Sequence, residues 1–73
     1  MDEFQKGLKP QDRVWWDDPE DISSGPYVVL DIHDAEDPWE GEAIRDEDTL
    51  VVIKNKAGSV AEVFLSELFA PRK

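Results

Sequence analysis

Residues 49–65 read Thr49-Leu50-Val51-Val52-Ile53-Lys54-Asn55-Lys56-Ala57-Gly58-Ser59-Val60-Ala61-Glu62-Val63-Phe64-Leu65, and the fold class turns on how this stretch divides. Thr49 to Lys54 is a strand by composition, apolar enough to be buried on both faces. Asn55-Lys56-Ala57-Gly58 is hairpin-turn material. Beyond it two readings compete. Ser59 with Glu62 fits a capping box, and Val60, Val63, Phe64 and Leu68 fall at helical spacing, which would give an α+β fold with a helix at about 59–69. The run Val60 to Leu65, placed directly after a tight turn, also reads as the hairpin's return strand. We favour the strand, followed by one helical turn near Ser66-Glu67-Leu68 and a stop at Pro71; the helix remains the alternative.

Upstream, Tyr27-Val28-Val29-Leu30-Asp31-Ile32 is the clearest strand. Strict alternation puts Val28, Leu30 and Ile32 on one face and Tyr27, Val29 and Asp31 on the other. Arg13-Val14-Trp15-Trp16 is a shorter strand, entered through Gly7-Leu8-Lys9-Pro10-Gln11-Asp12, where Pro10 presets φ for the second position of a turn. Ser23-Ser24-Gly25-Pro26 is another turn signal. Short turns, one wide loop and a terminal turn predict a small, strongly bent antiparallel sheet. A barrel suits the length because it leaves few open edges. At 73 residues the chain reads as a single domain, 1–73. With no Cys it has neither a disulfide framework nor a thiolate metal site. No apolar run approaches the ~20 residues that span a bilayer. Met1-Asp2-Glu3 lacks the basic start of a signal peptide, so the expectation is a cytoplasmic domain.

Gly7-Leu8-Lys9-Pro10-Gln11-Asp12-Arg13-Val14, followed by the strand from Tyr27 to Ile32, resembles the opening of SH3-like barrels of the KOW and Tudor type. Those often begin with a KPGD-x-V turn and strand. Gln11 stands where that pattern has Gly, which leaves the turn type open. Val60 to Leu68 is similar to the last strand and short turn of such barrels, and the chain as a whole resembles small bacterial proteins built this way. The resemblance implies an all-β, SH3-like barrel of about five antiparallel strands; it implies a fold more than an activity.

Charge narrows the partners. The chain carries 18 acids and 8 bases, a net charge of −10. Residues 1–13 balance, while 14–48 hold 13 acids and one base, Arg45. Most of these acids fall in two stretches, 17–26 and 34–48, whose Pro and Gly and lack of periodicity predict solvated loops. Phosphate backbones and anionic membranes are bound by Lys and Arg clusters, so neither is an expected partner. A basic protein segment or a cation is. Solubility alone is the competing account of such a surface.

Chemistry finds little purchase. The only imidazole, His33, lies between Asp31 and Asp34 with no nucleophile motif near it, and a strand-end His beside an acidic loop reads as a surface residue. Paired carboxylates need unlike environments to divide acid and base roles, and so short a chain has little material for a water-excluding cleft. No enzymatic role and no cofactor are expected. The window Glu36 to Glu47 places Gly41 and Glu47 at the sixth and twelfth positions of a calcium loop, but Pro38 takes the third and no helix flanks it. Weak divalent-cation binding by the clustered carboxylates is the reading left open there.

The aromatic residues carry the best clue. With Val14 and Trp16 inward beside Val28, Leu30 and Ile32, Trp15 points outward together with Tyr27 and Val29. Trp15 and Tyr27 then form a patch beside Asp17 and Asp18, with Trp39 folding over it. Such a patch suits Lys, Arg and proline-rich segments. The competing structural reading is that a small barrel needs each large side chain for its core. The expected function is a non-enzymatic interaction module for a basic or proline-containing protein segment. The alternatives are an acidic nucleic-acid mimic that occupies a DNA-binding protein, or a weak divalent-cation binder.

Overall fold

The computed structural model describes residues 3–18, 20 and 24–71. A one-turn helix α1 (Glu3–Lys6) precedes strands β1 (Arg13–Trp16), β2 (Gly25–His33), β3 (Ala35–Glu36), β4 (Ala43–Ile44), β5 (Leu50–Lys54) and β6 (Val60–Phe64). A 3-10 turn at Leu65–Glu67 and strand β7 (Leu68–Phe69) follow. Five strands make one curled antiparallel sheet in the order β6-β5-β2-β1-β7, and β3 and β4 form a separate two-stranded ribbon. The fold is all-β, and the α+β alternative with a helix at 59–69 does not occur.

The deciding stretch is a hairpin. β5 and β6 pair with Val51 opposite Val63 and Ile53 opposite Ala61. The turn is set by Asn55, whose carbonyl accepts the Gly58 N–H at 3.1 Å and whose Oδ1 accepts the Ser59 N–H at 2.9 Å. Gly58 sits at φ +89°, a region open to Gly at no steric cost. The Ser59–Glu62 capping box of the helical alternative does not form, because Val60–Phe64 pairs with β5 as a strand and no helix begins at Ser59. Glu67 caps instead, its Oε2 accepting the Phe64 N–H at 2.9 Å where the 3-10 turn begins. β5 buries Val51 and Ile53 completely but leaves Leu50 and Val52 half-buried, so it is covered on one face rather than both.

The facing expected for β2 is inverted at its start. Tyr27 and Val29 point into the core, while Val28 (38 % exposed) and Leu30 (45 %) point out. Ile32 does turn inward, opposite Val51, because the register with β5 shifts between Val29 and Asp31. That bulge places two outward residues, Leu30 and Asp31, in succession and reverses the phase of the alternation. The core gathers Tyr27, Val29, Val14, Ile53, Leu65 and Leu68, with Trp16 edge-on to Tyr27 at 5.5 Å between ring centroids.

Two long-range polar clasps hold the periphery. Gln5, on α1, donates through Nε2 to the carbonyls of Leu65 and Leu68, both at 3.1 Å, in a buried setting. Arg45 meets both oxygens of Asp34 at 2.8 Å, and its Nη1 donates to the carbonyls of Gln5, Lys6 and Leu8 at 3.1, 3.0 and 2.7 Å. The second clasp fixes the ribbon's base to the C-terminal end of α1, whose last carbonyls lack helical partners. The turn before β1 is closed by the Asp12 N–H on the Lys9 carbonyl at 3.2 Å. With Pro10 second and Gln11 third at φ +75°, it is a type II turn, and Gln11 adopts the backbone that the barrel pattern's Gly would supply.

Candidate functional site

The acidic segment 34–48 is not a featureless loop. β3 and β4 pair with Ala35 opposite Ile44 and Glu36 opposite Ala43. Asp37 builds the tip: its carbonyl accepts the Gly41 N–H at 2.8 Å, its N–H donates to the Glu42 carbonyl at 2.8 Å, and its Oδ1 accepts the Trp39 N–H at 2.8 Å. Gly41 closes the turn at φ +71°. The product is a tip that holds Trp39 away from the body, 92 % exposed, between Glu36, Asp37, Glu40 and Glu42. Trp39 does not fold over a patch.

The ribbon's root is electrostatic. The Arg45 guanidinium, by hydrogen bonding to Asp34, holds that carboxyl below its usual range against the opposing effect of burial. The same bonds raise Arg45 above the ordinary arginine value. The single base of the acidic block is thus spent on structure.

The other expected site residues separate. Tyr27 is in the core, 6 % exposed, so it contributes no outward aromatic surface. Trp15 is half-buried on the outer face, opposite Pro26 on β2 and Phe69 on β7. Asp17 is exposed and donates its N–H to the Glu67 carbonyl at 3.3 Å; Asp18 is half-buried, its N–H on the Ser24 hydroxyl at 2.8 Å. Part of the 17–26 loop (Pro19, Asp21, Ile22 and Ser23) lies outside the described residues, and β2 already begins at Gly25. Trp39 belongs to a ribbon rooted beyond His33, seven residues along β2 from Pro26, or about 23 Å at ~3.3 Å per residue. Trp15, Asp17 and Asp18 therefore sit toward one end of the sheet, and Trp39 beyond the other.

His33 is exposed, with Nε2 3.7 Å from Asp31 Oδ2. Among the described residues, no three of His, Asp or Glu converge as a metal site. No helix among them is long and apolar enough to cross a membrane.

One concave surface escaped the sequence reading. Arg13, Pro26, Val28, Leu30, Lys54 and Lys56 line an outer groove of about 590 Å³. No carboxylate lines it. The signal was the period of two that carries Lys54 and Lys56 around the turn, but Arg13 joins them only through strand register.

No family model, curated protein or solved structure matches this chain.

Proposed function

We propose that the chain is a non-enzymatic, cytoplasmic interaction module, an SH3-like barrel whose Trp39 ribbon binds a basic segment of a partner protein. The observation that carries this reading is the indole held 92 % exposed at the tip of a ribbon whose neighbouring residues in sequence include Glu36, Asp37, Glu40 and Glu42. A large aromatic side chain in water contributes nothing to the core, and the tip that presents it is held by two backbone hydrogen bonds, one bond to the Asp37 carboxylate and a left-handed Gly41. A cationic side chain meets both an aromatic face and a negative field there. Trp15, with Asp17 and Asp18, lies too far along β2 to join the same contact.

The test is a titration with a peptide of alternating Arg and Pro, read by calorimetry at low and high salt. Trp39→Ala is expected to leave the melting temperature unchanged and to weaken binding at least tenfold. Binding that survives Trp39→Ala, falls steeply with salt and is displaced by a DNA-binding protein would instead support a nucleic-acid mimic.

A further inference from the structure

The outer face of the sheet runs in registered rows. Arg13, Val28, Lys54 and Val60 face one another directly across four strands, and all four are exposed. Lys56, in the turn after β5, and Leu30 line the same groove as Arg13, Val28 and Lys54. The next row toward His33 is Asp31, Val52 and Glu62, so the face passes from positive to negative along the strands. None of Arg13, Lys54 and Lys56 makes an ion pair among the described residues. In a chain of net charge −10, an apolar groove whose charged lining residues are all cations lies toward one end, and an exposed indole flanked in sequence by Glu36, Asp37, Glu40 and Glu42 lies beyond the other.

The two surfaces do not meet within one chain. No residue of 34–48 lines the groove, and the ribbon is rooted at the opposite end of the β2–β5 ladder, where His33 faces Leu50. We infer that the groove of Arg13, Val28, Lys54 and Lys56 receives the Trp39 ribbon of a second copy of this chain. This rests on the reading of that ribbon as an adhesive element and names one basic partner for it. Three cations then face Glu36, Asp37, Glu40 and Glu42, and the indole lies on Val28, Leu30 and Pro26 in a volume within the ~300–1,000 Å³ of small-ligand clefts. The contact is heterologous, head to tail, so it leaves a free ribbon at one end of a pair and a free groove at the other. It is also small, and long-range repulsion between two acidic molecules opposes it beyond a Debye length of ~8 Å at 0.15 M salt. The association is therefore weak.

Sedimentation equilibrium of the full chain at 0.15 M salt tests it. The weight-average mass is expected to rise with concentration above the 8.3 kDa of one chain. Trp39→Ala, which keeps the groove, and Lys54→Glu, which keeps the ribbon, should each stay monomeric with wild-type melting curves. Mixing the two dead variants should restore a species of twice the single-chain mass, because one supplies the groove and the other the ribbon. Arg13→Glu repeats the groove arm should Lys54→Glu fail to fold. A chain that stays monomeric to millimolar concentration overturns the inference, as does self-association that survives both variants or fails to return on mixing. Lys54→Glu must still bind the Arg-Pro peptide. If it does while self-association is absent, the second-copy inference alone fails; if neither protein binds the peptide, the ribbon's adhesive role fails with it.

Discussion

Arg45→Gln is expected to cost about 2–4 kcal/mol of stability, a large share of the roughly 4–11 kcal/mol usual for a chain of this length. The guanidinium makes two bonds to Asp34 at 2.8 Å and reaches three carbonyls from one nitrogen. That nitrogen carries two hydrogens, so about four charge-assisted bonds act at once. A fully exposed ion pair contributes ~0–1 kcal/mol, and a hydrogen bond to a charged group ~1.5–3 kcal/mol when sheltered. The Arg45 and Asp34 side chains are 18 % and 19 % exposed, between those limits. The Asp34 pair then contributes about 1–2 kcal/mol, and the carbonyl contacts about as much again, since the freed carbonyls can turn toward water. Urea unfolding followed by tryptophan emission measures this without screening the charges. A cycle with Asp34→Asn should give a coupling of about 1–2 kcal/mol. The Asp34 carboxyl lies below its ordinary value in the folded chain, so its contribution is complete above the unfolded value of ~3.9 and is lost as pH falls through the lower folded one. In Arg45→Gln that acid-limb loss should shrink. A cost below ~0.5 kcal/mol with no coupling would place the pair among ordinary surface contacts and refute the reasoning.

Gln11→Gly is expected to raise the melting temperature by a few degrees, about 0.5–1 kcal/mol, because it relieves a left-handed residue at the third position of a type II turn; a drop would show that the Gln11 side chain makes a compensating contact. Tyr27→Ala should cost about 3–5 kcal/mol and Leu30→Ala less than about 1 kcal/mol by the same urea assay. The reverse order would restore strict alternation through β2 and remove the bulge.

The β5–β6 hairpin was legible because turn chemistry and apolar density agree: Asn55 and Gly58 shape the turn, and Val51 and Ile53 supply the buried face. The choice between strand and helix for Val60 to Phe64 was settled by pairing with β5, a non-local term that spacing within the segment does not contain. Three features lay beyond the sequence for similar reasons. The bulge at Leu30 leaves composition untouched yet exchanges the faces of Val28 and Val29, which moved Tyr27 from an expected binding surface into the core. The β3–β4 ribbon is too short to show periodicity, and its signals, Asp37 and Gly41, were submerged in acidic residues. The groove exists only once Arg13, Val28 and Lys54 are placed in register across strands far apart in sequence.

The Gln5 clasp joins residues 60 and 63 positions apart, closing a loop that spans most of the chain. The entropy of such a closure is met only after the sheet has brought Leu65 and Leu68 into place, so the clasp belongs to the last stage of folding. Contacts made after the barrier act on the return path: their loss hastens unfolding and leaves the folding rate nearly unchanged. The N-terminal turn is thus a latch on an already assembled sheet, held by the Gln5 and Arg45 clasps together, and slow amide exchange would persist longest through β2 and β5 and be lost first at α1.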